Sequence, residues 1–294
     1  MPERSHIVFI HGLSNKPPAA DLRRIWLDAL RASVDGDRGF DLSAVGVRDS
    51  FVYWADQFYD TPLSPSDYES RSDELADSVS GDVQLEADEW VIAMSAKFPM
   101  EEDEVFEDAP VSDETEEYER IPIPWFVKKK LMAHFLKEAH AYLFNVDGVR
   151  DTIRTQVIDA LNAASADSPK VLVGHSQGSM IAYDVLTGDD RCPPVDGLLT
   201  LGSPLGVDEV QDKLVWTRTE GFPKKLSGDW VNVYDPFDVV ARADPQLAND
   251  FRKGNEKVVI DVKEENWGKW RHSATKYFKG PKLRAQLRRL AGRA

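Results

Sequence analysis

The sequence predicts an α/β protein: a mostly parallel sheet of about six strands, helices on both faces, and a largely helical insertion that interrupts one crossover. Three observations predict it. Short apolar runs alternate with amphipathic stretches along both ends of the chain. One of those runs, Lys170-Val171-Leu172-Val173, leads through Gly174-His175-Ser176-Gln177-Gly178 straight into a segment of small and apolar residues, Ser179 to Leu186. Between the two ends lies a strongly acidic block with its own helical periodicity.

The elements follow in order. His6-Ile7-Val8-Phe9-Ile10 is a buried strand spanning 6–11, and a helix follows at 21–34. Val45 to Trp54 is the next strand, with Phe51-Val52-Tyr53-Trp54 as its buried end. The connection 55–146 then breaks the pattern. A helix over 147–165 restores it, because Val149, Ile153, Val157, Ile158 and Leu161 share one face. The glycine-flanked serine comes next, between strand and helix. Strands near 195–202, 230–235 and 257–263 complete the sheet, and Pro281 to Leu290 is a basic amphipathic helix. We expect a single domain over 1–294, its core formed by 1–54 and 147–294 and its cap or lid by 55–146.

Composition excludes several classes. No run of 18 apolar residues exists, so no transmembrane helix is expected. Met1-Pro2-Glu3-Arg4 runs directly into the first strand, which leaves no signal peptide to expect, and Cys192 is the only cysteine, so no internal disulfide can form. These points predict a soluble, cytoplasmic protein. The net charge is −15, yet residues 56–120 hold 22 Asp or Glu against three Lys or Arg, so the rest of the chain carries +4. The densest part, Glu101 to Glu119, repels nucleic acid and reads as a solvated loop or as a docking surface for a basic protein partner. The last 26 residues carry nine Lys or Arg and no acid. They read as a solvated closing helix, with pairing to the acidic insertion or peripheral contact with an anionic membrane as alternatives. Within the insertion, Trp125, Leu131, Phe135, Ala139 and Tyr142 or Leu143 recur at helical spacing, as core or as the wall of an acyl pocket. His134 and His140 are six apart and off a common face, and no H-E-x-x-H, Cys cluster or phosphate loop is present, so neither a metal nor an organic cofactor is expected.

The chemistry concentrates at Gly174-His175-Ser176-Gln177-Gly178. This is a G-x-S-x-G motif in a strand–turn–helix context, where flanking glycines leave room for a sharp turn and the serine hydroxyl stands clear of the sheet. The following helix aims its first amides, and the positive end of its dipole, at developing negative charge. His11-Gly12-Leu13-Ser14-Asn15 directly follows the first strand, and Leu201-Gly202-Ser203-Pro204-Leu205-Gly206 follows a later one.

In these motifs the chain resembles the α/β-hydrolase superfamily, on its lipase and carboxylesterase side, over 5–54 and 147–280. The leading antiparallel hairpin of larger members is missing, which implies a reduced sheet. The resemblance implies a Ser-His-acid triad in the chain order serine, acid, histidine. Of the six histidines only His272 follows Ser176, so it is the implied base. The acid comes from Asp235-Pro236-Phe237-Asp238-Val239-Val240. Asp238 is favoured, because the Asp-Val-Val run packs a loop on the core and resembles the acid loop of lipases. Asp235, at the strand end, is the alternative, and Asp244 is a third candidate. The resemblance further implies an oxyanion hole from the amides of Leu13 and Gln177, with His11 fixing the loop by hydrogen bonding.

The implied activity is hydrolysis of carboxylic esters, including lipid-derived acyl esters, through an acyl-enzyme. A thioesterase, amidase, peptidase or acyltransferase would use the same triad, and a noncatalytic scaffold that binds a partner through the acidic insertion is the reading from another class.

Overall fold

The computed structural model describes residues 5–34, 36–73, 88–97, 125–215, 220–268 and 270–292. The core alternates as the apolar runs require. β1 (His6–Ile10), α1 (Ala19–Arg31), β2 (Arg48–Val52), α2 (Pro65–Asp73), α3 (Glu89–Lys97), α4 (Trp125–Leu143), α5 (Val149–Ala163), β3 (Lys170–His175), α6 (Gln177–Gly188), β4 (Val195–Leu201), α7 (Asp208–Gln211) and β5 (Leu226–Tyr234) come in that order. A two-residue pair, β6 (Arg252–Lys253) and β7 (Glu256–Lys257), precedes β8 (Val259–Lys263), and α8 (Ala274–Lys279) and α9 (Pro281–Leu290) close the chain.

Six strands form one sheet in the order β2-β1-β3-β4-β5-β8, and every neighbouring pair is parallel. Side chains alternate across it. Ile7, Phe9, Val171, Val173, Leu199, Leu201, Val231 and Val233 face α1, α8 and α9. Val8, Ile10, Leu172, Leu198 and Trp230 face the side holding α3 to α6. Burial on both faces is why these strands read as continuous apolar runs in the sequence. The two edges, β2 and β8, carry charged residues such as Arg48, Asp49 and Asp261, which suits a sheet edge.

The helices obey their apolar stripes. α1 buries Leu22, Ile25, Trp26, Ala29 and Leu30, and α5 buries the five residues expected of it. The insertion contributes to the same core: Trp90, Val91 and Met94 of α3 and Phe135, Leu136, Ala139, Tyr142 and Leu143 of α4 pack with Val8, Ile10 and Leu172. The side chains of Trp125 and Leu131, and the acidic run 101–119, lie outside those described. Sequence boundaries shift by a few residues: the second strand is shorter than expected, at 48–52, and β5 starts earlier, at Leu226. The β6–β7 pair carries too short a signal to be read from sequence. Among the described residues, no helix is long and apolar enough to cross a membrane.

The basic closing helix has internal work for its cations. Arg284 is fully buried and bonds to Asp37 and to the carbonyls of Ala29, Ala32 and Phe278. Arg288 reaches Asp37 and Gly39, Arg289 pairs with Asp229, and Lys282 donates to the Lys263 carbonyl.

α4, α5 and α6 are locked by one buried carboxylate. Asp184 accepts from Arg150 Nε at 2.9 Å, from Arg154 Nε and Nη2 at 2.7 Å each, and from Tyr142 Oη at 2.8 Å. Burial pushes its pKa up, but the two guanidiniums outweigh that and hold it below the ordinary value. Removing one partner of such a cluster strands buried charge. Asp184→Ala is therefore expected to lower unfolding free energy by about 3–5 kcal/mol, read from urea midpoints. A loss under about 1 kcal/mol would contradict it.

Candidate active site

The sheet winds outward in two directions from β1 and β3: β2 lies to one side, and β4, β5 and β8 follow on the other. Loops after these two strands therefore meet at the switch point, beyond the strands' carboxyl ends, where α/β folds bind ligands. One of these loops holds Leu13 and the other holds Ser176.

Ser176 stands between the end of β3 and the start of α6 with φ 54° and ψ −126°. A non-glycine residue held there costs about 1–3 kcal/mol. The turn is pinned by Ser176 N–H donating to Leu201 O at 2.9 Å and by Ser179 N–H donating to Ser176 O at 2.9 Å. A Cβ on Gly174 would lie 2.5 Å from Gly178 O, and one on Gly178 would strike Ile10 O, so only glycine lets α6 start this close to β3 and β1. Ser176 is fully buried, and its Oγ has no hydrogen-bond partner.

His272 follows β8, just before α8. Its Nδ1 lies 2.8 Å from both carboxylate oxygens of Asp238. Asp238 only accepts, so Nδ1 carries the proton. Nε2 is buried and unpartnered. Asp238 is completely buried and also accepts from Val240 N–H at 2.9 Å, Ala241 N–H at 3.3 Å and Tyr277 Oη at 2.8 Å. Burial pushes its pKa up, yet His272 and these donors together hold it below the ordinary carboxylate range.

The other two carboxylates point elsewhere. Asp235 accepts from Phe237 N–H and Asn266 N–H, both at 2.8 Å, and from Arg271 Nη1 at 3.3 Å. It ties down the segment leading to His272 without touching the imidazole, and burial raises its pKa. Asp244 makes no hydrogen bond to His272. Burial and the neighbouring Asp250 push its pKa up to about 6.

His272 is also hung on the elbow. His175 Nε2–H donates to His272 O at 2.9 Å, and the two rings lie 4.7 Å apart. Gly202, at φ 54°, fills the remaining gap, since a Cβ there would sit 2.8 Å from Asp238 Oδ2 and 3.1 Å from His272 Nδ1. Three partners escaped the sequence reading. Tyr277 Oη joins Asp238 to the Asp235 amide, which donates to it at 3.0 Å. Lys16 donates to the Leu13 carbonyl, and Glu138 of α4 reaches the Ser14 amide. Nothing in the local sequence distinguishes Tyr277 or Glu138, because the groups they meet are distant along the chain.

His11 is fixed as a neutral ring. Nδ1–H donates to Gly12 O at 2.6 Å, Nε2 accepts from Trp54 N–H at 3.0 Å, and the ring stacks on Trp54 at 4.7 Å. Burial and the nearby Lys16 bring its pKa down to about 3. The amides of Leu13 and Gln177 donate to no group among the described residues.

The depressed pKa of His11 makes stability pH-dependent. The unfolded chain binds this proton near pH 6.5 and the folded chain only near 3, so the unfolded state holds more protons in between. The stability from the neutral ring is complete above pH 6.5 and drains as pH falls, by about 1.4 kcal/mol per pH unit. His175, also held low by burial, has the same sign, while Glu138, Asp235 and Asp244, whose pKa values are raised, have the opposite one. A comparison with a variant isolates the His11 contribution. The stability advantage of wild type over His11→Asn should shrink as pH falls from 6.5 toward 3 in urea melts. A constant gap would contradict it.

Neither a family model nor a curated protein matches the sequence. Among solved structures, the chain is similar to a pyrethroid hydrolase from Sphingobium faniae, at 13% identity over 98% of this chain and 97% of that one, with TM-score 0.38. It is similar to a YdeN-like hydrolase from Pectobacterium atrosepticum at 17% identity over 48% and 67%, TM-score 0.30. A third similarity, to an uncharacterized protein from Pseudomonas aeruginosa, is 11% identical over 90% and 41%, TM-score 0.30. The parallel six-stranded sheet in the order β2-β1-β3-β4-β5-β8, with a strained serine between β3 and α6 at the switch point, is an α/β-hydrolase fold.

Proposed function

We propose that the protein is a serine hydrolase of carboxylic esters, acting through Ser176, His272 and Asp238. One observation carries the reading. The imidazole of His272 donates its Nδ1–H as a hydrogen bond to an ionised Asp238 and keeps a bare, buried Nε2, beside an elbow whose serine hydroxyl is equally buried and unpartnered. Two buried polar atoms without a protein partner cost about 1–3 kcal/mol each, a cost that the reacting complex removes by pairing them with each other and with a substrate.

In the proposed cycle, Nε2 takes the Ser176 proton as Oγ attacks the ester carbonyl. Asp238 holds the ring in this tautomer and stabilises the imidazolium. The Leu13 and Gln177 amides, which have no competing acceptor among the described residues, bind the oxyanion. His272 returns the proton to the leaving alkoxide, then activates water to release the acid. Ser176 and His272 are 0% and 4% exposed, so the proposed cycle runs at a buried site.

The test is labelling with a fluorophosphonate probe, followed by turnover of p-nitrophenyl esters of increasing chain length. Labelling with hydrolysis of short or long esters supports the reading, and the chain-length optimum separates a short-chain esterase from an enzyme of lipid-derived acyl esters. A folded protein that neither labels nor hydrolyses any ester is a scaffold.

A further inference from the structure

We propose that Glu138, supplied by the insertion, is the positioning residue of the oxyanion loop, so that α4 is a working part of the active site. This rests on the serine-hydrolase reading above. Glu138 lies on α4 and is 1% exposed. Its two carboxylate oxygens accept the Ser14 N–H at 3.1 and 2.9 Å, and Tyr59 Oη donates to Oε1 at 2.5 Å. Its backbone carbonyl accepts from Gln177 Nε2 at 3.2 Å. One residue of the insertion thus touches the neighbour of one proposed oxyanion donor and the side chain of the other.

Peptide planarity turns these contacts into control of direction. The Leu13 N–H shares a rigid plane with the Gly12 carbonyl, and His11 holds that carbonyl. The next plane contains the Leu13 carbonyl and the Ser14 N–H, and it is gripped at both ends, by Lys16 and by Glu138. Ser14 itself sits at φ 73°, a left-handed conformation that a serine keeps only when its surroundings impose it. Leu13 is therefore suspended between two fixed planes, and α4 supplies one of the grips.

The charge of Glu138 is not what the chemistry needs, since a carboxylate beside an oxyanion opposes it. Its shape and acceptor capacity are what the loop uses. That distinction makes the proposal testable. Glu138→Met keeps length and apolar packing but removes the acceptor. Glu138→Gln keeps an acceptor for Ser14 and loses the charge.

The experiment measures amide hydrogen exchange over segment 11–16, with kcat and KM for p-nitrophenyl butyrate, in the full chain. For Glu138→Met, Ser14 exchange is expected to accelerate at least about tenfold while β3 and β4 amides stay protected. kcat should fall about 10- to 100-fold with KM within about threefold. Glu138→Gln should restore both. Tyr59→Phe, which removes one donor and leaves the helix packed, should move exchange in the same direction by less, and decides the matter if Glu138→Met does not fold. Unchanged exchange over 11–16 in both variants overturns the proposal, as does a Glu138→Gln enzyme as impaired as Glu138→Met. Should the wild type neither label nor hydrolyse esters, the hydrolase reading falls, and the exchange data still decide whether Glu138 holds the loop.

Discussion

Ser176→Ala is expected to abolish fluorophosphonate labelling and to lower ester turnover by about 10⁴- to 10⁶-fold, with the unfolding midpoint unchanged or slightly raised. The stability half of this result follows from local geometry. The Ser176 Oγ makes no hydrogen bond, so deleting it breaks none. The turn is held by backbone bonds from Ser176 N–H to Leu201 O and from Ser179 N–H to Ser176 O, which alanine keeps. Alanine also tolerates φ 54° about as badly as serine does, so no strain is added. Activity and stability are thereby separated, and only the chemistry is removed. Retained labelling in a folded Ser176→Ala protein would place the nucleophile elsewhere.

Asp238→Asn should cost about 10⁴-fold in turnover, and Asp235→Asn about tenfold or less. Asparagine at position 238 can still accept from the Val240 amide through its oxygen. Its amide N–H then faces His272 Nδ1 and the Tyr277 hydroxyl, where the carboxylate accepted from both. The oxygen at the Oδ1 position still lies within reach of Nδ1, but the amide N–H at the Oδ2 position now favours the tautomer with its proton on Nε2, and the negative charge that would stabilise the imidazolium is gone; a protonated Nε2 cannot take a proton from serine. The Asp235→Asn side chain, in contrast, keeps the Phe237 contact and weakens only the tie to Asn266 and Arg271, which steadies the approach to His272. A larger loss at position 235 than at 238 would reverse the proposed roles. Matching pH profiles of kcat/KM for wild type and Asp235→Asn, beside a flattened residual for Asp238→Asn, would support them.

The choice between these two aspartates shows where sequence reasoning runs out. Both stand in Asp235-Pro236-Phe237-Asp238, both are fully buried, and both serve the His272 loop. Which one meets the imidazole depends on how the chain turns after Tyr234. The turn folds Asp235 back onto its own Phe237 amide and presents Asp238, further along the chain, to His272. The helix α4 is a second case. Phe135, Ala139, Tyr142 and Leu143 pack into the main core, and among the described residues of that helix Glu138 reaches the candidate site, at a position the apolar periodicity passes over. Similarly, the partners of the α9 cations lie far along the chain: Arg284 meets Asp37 and the carbonyls of Ala29 and Ala32, and Arg289 meets Asp229.

Strand and helix order, the reduced six-stranded sheet, the elbow at Ser176 and the position of the loop after β1 could all be read from the residues alone. These are local properties: backbone periodicity, the steric demand for glycine at positions 174 and 178, and burial on two faces are all written within a few residues of where they act. Which buried polar group meets which emerged only on folding: Asp238 with His272 and Tyr277, Asp184 with two arginines, Glu138 with Ser14. Those pairs are 30 to 124 residues apart. A buried charge finds its partner through the packing of whole elements, and no local pattern in the chain encodes that distance.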